Sequence, residues 1–288
     1  MWLHFNLTNA RCRAALARAP FLPDELHEVF ETQDTRRRIE SIEDGVLAVI
    51  SDLIFEIEAD PSEVAPVWCY AGPRLFVTAR LHPLKTTDQL RTAVRGGLRV
   101  EHPIELLVWI LGQRTESLSE LTADMAEQVG EIEDEVLRGA VKAQREQLGR
   151  IRRFCARARR HFGPDRTMFT KLLQRQPALL TEMHAESIRA EIDELSFLID
   201  ETSELYERAK LLQEELASRV AEDTGRHLYV LAILSAVFLP MTLITGIFGM
   251  NVAGLPGLHS SAAFWLVMIL IVGSGLATLA SIFSRTRD

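Results

Sequence analysis

Gly249-Met250-Asn251 closes an apolar run, and the chemistry it offers is that of hard, neutral oxygen. A helix ending there frees backbone carbonyls, and the Asn251 carboxamide adds another acceptor. A ring of such groups could hydrogen-bond the water shell of a divalent cation. A single Asn after a Gly is also an everyday helix C-terminal cap. Upstream, Leu228, Leu231, Ser235, Leu239, Thr242, Gly246 and Gly249 fall on one face at helical steps. Around the axis of an oligomer that face would alternate dry constrictions with oxygen rings, which suits a gated ion path. The same small and hydroxyl residues also suit plain helix packing in a membrane, and taken alone they leave the two readings level. His227 and His259 border the two ends of the apolar region and are candidate metal ligands, though an interfacial side chain is the commoner role.

The element that must position these residues is a membrane hairpin. Leu228–Gly249 and Ala262–Phe283 are uncharged runs of 22 residues each, separated by the 12-residue loop Met250–Ser261. As helices each reaches about 33 Å, enough for the ~30 Å hydrocarbon layer. In lipid only helices or closed barrels satisfy their own backbone, so the runs are expected to be transmembrane helices. Arg219 and Arg226 precede the first, Arg285 and Arg287 follow the second, and the loop holds no Lys or Arg. The positive-inside rule then puts both termini in the cytoplasm. Met1–Phe5 shows no basic stretch followed by an apolar one, so no signal peptide is expected.

Ahead of the hairpin, residues 1–102 mix short β-branched runs with helical stretches. Val67–Tyr70 and Leu75–Thr78 flank Ala71-Gly72-Pro73 as a hairpin would, and Pro23–Thr32 and Thr87–Arg95 read as helices, so a small α/β domain is expected. From 103 to 227 the period becomes helical. Ile104, Leu107, Leu111, Leu118, Leu121, Met125, Val129, Ile132 and Val136 recur at three, four or seven. Gly163-Pro164-Asp165 is expected to break a helix and cap the next. Ile188, Ile192, Leu195, Ile199, Thr202, Tyr206 and Ala209 form a coiled-coil-like seam that runs on through Leu212, Leu216 and Val220. With only Gly225 as a breaker, one long helix should lead from this seam into the first span. The fold class is an α+β domain, then very long helices, then the two-helix hairpin with a tail at 284–288.

Charge is segregated: Glu116–Glu135 has eight acids and no base, whereas Arg145–Arg175 has ten bases against Glu146 and Asp165. Antiparallel helices pairing acidic with basic faces explain this most simply, and an electrostatic funnel for cations is the alternative. Overall, 32 basic against 40 acidic residues give a net charge of −8, which argues against a nucleic-acid partner. Cys12, Cys69 and Cys155 are odd in number and far apart, and read as reduced thiols. HExxH, GxSxG, P-loop and dinucleotide-binding signatures are missing, so no enzyme and no resident cofactor are expected.

Phe238-Leu239-Pro240-Met241-Thr242-Leu243-Ile244-Thr245-Gly246-Ile247-Phe248-Gly249-Met250-Asn251 resembles the pore helix and Gly-Met-Asn signature of CorA-type divalent metal-ion transporters. Asn251–Gly257, with Trp2–Asn6 through Phe21–Asp24, is similar to the ZntB zinc-transport branch of that superfamily. The resemblance implies a funnel-shaped homopentamer in a bacterial inner membrane, its first span lining a pore and its second surrounding it. By matching position, Gly249 and Asn251 would form the outer selectivity ring and Thr242 an inner polar ring. Leu239 would be a narrow point, with Leu231 and Leu228 a lower gate. It further implies uptake of Zn²⁺, with proton coupling open because the spans carry no acid, base or histidine. The alternatives are a Mg²⁺, Co²⁺ or Ni²⁺ channel of the same architecture and a non-conducting coiled-coil scaffold. Two departures stand out. The loop has no carboxylate where the magnesium branch usually carries one after Met-Pro, and Met250 stands where zinc-branch members often have Ile or Val.

Overall fold

The computed structural model describes residues 1–55, 63–138, 144–250 and 261–285. Its elements run β1 (Trp2–Asn6), α1 (Ala10–Leu16), α2 (Asp24–Thr32), β2 (Arg38–Ile42), β3 (Gly45–Leu53), β4 (Val64–Ala71), β5 (Phe76–Arg80) and α3 (Lys85–Arg95). Then follow α4 (Pro103–Leu137), α5 (Gln144–Arg175), α6 (Glu182–Phe248) and α7 (Ser261–Arg285). Two compact units divide the chain, Met1–Glu214 and Glu215–Asp288.

The first unit is built on one five-stranded sheet of order β1-β5-β4-β3-β2, antiparallel except where β1 pairs β5 in parallel. Side chains alternate across a strand, and here both faces are covered. Val46, Ala48 and Ile50 of β3 face a core with α4, whereas Leu47 and Val49 face the opposite core with α1 and α2. That double cover explains why all of β3 is buried and why its run reads as continuously apolar. The β4–β5 hairpin and helices α2 and α3 match the sequence pattern. Strands β1 and β2 did not stand out there, because both are five-residue edge strands with polar residues facing outward.

α5 corrects one expectation. It runs unbroken through Pro164, and Asp165 is not a cap. Proline has no N–H for the carbonyl four residues back, so the Arg160 carbonyl loses its helical donor. Arg37 Nη1 donates to that oxygen at 2.5 Å, supplying from another element what the helix lacks. Asp165, 0% exposed, accepts from Arg114 Nη2 at 2.6 Å. Arg114 Nε donates to the Ser51 carbonyl at 2.7 Å, and its guanidinium lies 5.1 Å from the Phe162 ring centroid. Burial raises the Asp165 carboxyl above its usual range, and the guanidinium opposes that rise. Arg114, just ahead of the acidic block, pairs with Asp165, an acid inside the basic one, and Glu133 of the acidic block bonds Arg208 of α6 at 2.8 Å.

At the other sheet edge, Arg80 Nε donates to His4 Nε2 at 3.0 Å, and His4 Nδ1 lies 2.8 Å from Thr78 Oγ1. The ring is therefore neutral, with its proton at Nδ1. Desolvation, then the Arg80 charge, lower His4 to about 4 from 6.5.

Two outcomes follow. Asp165→Ala strands a buried guanidinium and is expected to cost about 3–5 kcal/mol in denaturant unfolding, most of it recovered by Arg114→Met with Asp165→Leu. His4 has a depressed folded pKa, so its stability contribution is present above pH 6.5 and is lost as pH falls toward about 4. The thermal midpoint should drop across that window, and drop less in His4→Gln; equal slopes would count against the assignment.

Candidate ion path

α6 is a single 67-residue helix, so the seam residues and the first apolar run belong to one element. In the first unit Ile188, Ile192, Leu195, Thr202, Ala209 and Leu212 are buried, as their spacing requires. In the second unit the apolar part of α6 faces α7, and the two helices are long and apolar enough to cross a membrane.

Among the described residues, partial burial on the two helices falls along one stripe of each, and the two stripes meet at Gly275. On α6 the partly covered residues between 228 and 248 are Ile233, Val237, Pro240, Met241 and Ile244. On α7 they are Val267, Ile271, Ser274, Gly275, Thr278 and Ile282. Gly275 is buried, and a β-carbon there would overlap the Met241 methyl and stand 3.8 Å from Val237 Cγ1. Small residues allow such close approach where lipid gives no hydrophobic drive to associate.

Leu228, Leu231, Ser235, Leu239, Thr242 and Gly246 are all exposed, with Leu239 at 69%. On a 3.6-residue helical wheel their mean direction is roughly 180° from the α7-facing stripe. The face picked out by sequence is therefore the side of α6 that the chain itself leaves open.

Its polar groups are arranged as acceptors. Thr242 Oγ1 donates to the Phe238 carbonyl at 2.8 Å, committing its proton and leaving oxygen lone pairs outward. Thr245 Oγ1 lies 3.1 Å from the Met241 carbonyl and 3.0 Å from that of Thr242. Pro240 has no N–H for the Ala236 carbonyl. Gly249 N donates to the Thr245 carbonyl at 2.8 Å just past the helix end. A β-carbon at Gly249 would come within 2.9 Å of the same oxygen, so this turn requires glycine. Met250 is half-exposed beyond it. Asn251 and His259 lie outside the described residues, and His227 is exposed on α6. Among the described residues no three His, Cys, Asp or Glu groups stand ready to hold a metal ion. The Met241–Gly275 fit was not anticipated, although Gly273-Ser274-Gly275 is the small-residue signal that could have shown it.

The model of the CorA-like Mg²⁺ transporter protein family matches residues 1–283. The chain belongs to that family. Membership makes it a CorA-like divalent-cation transporter, a family of membrane proteins with which the two apolar helical stretches in α6 and α7 agree. Zinc transport protein ZntB of Yersinia enterocolitica is 24% identical over 278 residues, covering 96% of this chain and 85% of the relative. Divalent cation transporter CmaX of Pseudomonas aeruginosa is 26% identical over 291 residues, covering 100% and 87%. The structure of full-length CmaX superposes with a TM-score of 0.82 at 26% identity, covering 100% of this chain and 88% of that one. The CorA magnesium transporter of Methanocaldococcus jannaschii shares the fold, with a TM-score of 0.77 at 21% identity over 99% of this chain and 90% of its own.

The Met241–Gly275 fit is testable in the detergent-solubilised protein. Gly275→Leu should destabilise it by about 1–3 kcal/mol through overpacking. Met241→Ala in the same chain should return part of that loss of thermal midpoint, and no recovery would mean that the two side chains do not meet.

Proposed function

We propose that the chain forms a homopentamer in a bacterial inner membrane, both termini cytoplasmic, and takes up Zn²⁺ along a path walled by α6. The observation that carries this reading is the open face of α6 opposite α7. Two helices cannot enclose water, so a face of leucines, hydroxyls and glycine becomes a path only when copies of the chain close around it. α7 would then sit outside α6. Gly249, Met250 and Asn251 form the entrance, Thr242 and Ser235 give oxygen rings, and Leu239, Leu231 and Leu228 form constrictions that gate by wetting and drying. Likeness to the ZntB proteins supports Zn²⁺ as cargo, as does a loop without carboxylates to gather Mg²⁺. With no acid, base or histidine in either span, the ion passes partly hydrated, held by neutral oxygen.

A Mg²⁺, Co²⁺ or Ni²⁺ channel is the second reading, favoured by the intact Gly249-Met250-Asn251 and by the CorA family itself. Radiometal uptake into proteoliposomes, with Zn²⁺ and Mg²⁺ in competition and with or without a pH difference, separates the two. Asn251→Ala removes the carboxamide from every copy and should lower Zn²⁺ uptake at least about tenfold, the effect of losing even one charge-assisted hydrogen bond to the hydrated ion. Uptake at the unaltered rate would sink the entrance role.

A further inference from the structure

Sequence scatters the eight histidines, but the fold brings two of them together where α4 and α6 begin. His102 precedes α4 and His184 lies in the first turn of α6, their rings edge to face with centroids 5.9 Å apart. Glu105, in the first turn of α4, lies between these helix starts. Its Oε1 accepts from His102 N and its Oε2 from Glu101 N, both at 3.1 Å, so the carboxylate is held by the backbone. His184 is 3% exposed, yet its Nε2 has no hydrogen-bond partner and lies 3.7 Å from Glu105 Oε1. A buried polar atom left unmatched is uncommon and asks for an explanation.

We propose that His102, Glu105 and His184 form a binding site for one Zn²⁺-type ion, separate from the ion path. Zn²⁺ held by nitrogen and oxygen at about 2.0–2.2 Å in a tetrahedron puts its ligand atoms roughly 3.3 Å apart. The His184–Glu105 separation of 3.7 Å is close to that edge, and the Glu105 carboxylate is already fixed. The third ligand needs a turn of the exposed His102 ring, which gives up the bond it accepts from Glu105 N at the start of α4. That turn is why the three do not already stand as a closed cluster. Metal at His184 Nε2 needs the ring proton on Nδ1. Nδ1 now takes a long 3.4 Å contact from Thr181 N, and the Thr181 hydroxyl that accepts from His184 N can take over as its acceptor. Water supplies the fourth ligand through the exposed His102 side.

The chemistry selects the ion. Two helix N-termini point positive ends at the site and oppose any cation held by charge alone. Mg²⁺ and Ca²⁺, bound through oxygen, gain little here, whereas Zn²⁺ gains two imidazole bonds.

The test uses the full-length, metal-stripped chain in detergent, with Co²⁺ and then Zn²⁺ alone as probes. The site predicts the intense visible bands of tetrahedral Co²⁺, bleached by Zn²⁺, and a thermal midpoint raised by Zn²⁺. His102→Gln keeps a side-chain oxygen that can accept from Glu105 N at the start of α4, so it should shift the metal-free midpoint little while losing the bands and weakening Zn²⁺ binding at least about tenfold. Asn251→Ala should keep the bands, which separates this site from the entrance. An octahedral Co²⁺ spectrum in the unaltered chain, or unchanged binding in His102→Gln, would overturn the proposal whichever ion α6 conducts.

Discussion

Hydrocarbon offers a peptide group no partner, so every carbonyl and amide crossing it must be matched from within. From that constraint follow the two long apolar helices and the i−4 back-bonding of Thr242. Lipid is as apolar as leucine and gives α6 and α7 no hydrophobic reason to pair. What fixes their rotation is the notch at Gly275 that receives Met241. Once the notch is filled, Ser235, Thr242 and Gly246 must point away from α7, and the open face is set.

The first unit obeys the same rule by other means. Pro164 deprives the Arg160 carbonyl of its donor inside a helix, and Arg37 makes good the loss. Arg114 is buried only because Asp165 neutralises it, the Ser51 carbonyl accepts from it and Phe162 covers it. Asp52, buried nearby, is held by the Thr86 hydroxyl at 2.6 Å and the Leu53 amide at 2.8 Å. These groups tie the sheet to α4 and α5 through directional bonds that apolar packing alone does not supply. His184 Nε2 is among the buried polar atoms that stay unmatched, and it is the one that stands beside a donor set.

Much of this was legible in the residues. The two spans, the seam Ile188–Leu216, the β4–β5 hairpin and the candidate path face are all periodic, and periodicity survives any tertiary arrangement. The resemblance carried by Phe238–Asn251 gave the family before any fold was drawn. Short edge strands and a proline tolerated within a helix were not legible, because their signals depend on partners distant in sequence. Asp165 after Gly163-Pro164 has the local chemistry of a helix start, and only Arg37 and Arg114, more than fifty residues away, make it the middle of one.

By itself, then, the sequence determined most of the helical segments, which of them can live in lipid and which residues share a face, since those properties are written in spacing and side-chain type. Tertiary structure decided which face of α6 is left open, which carbonyl Arg37 meets, and that His102 and His184, 82 positions apart, come within 5.9 Å. Those are matters of long-range contact, and no local periodicity encodes them.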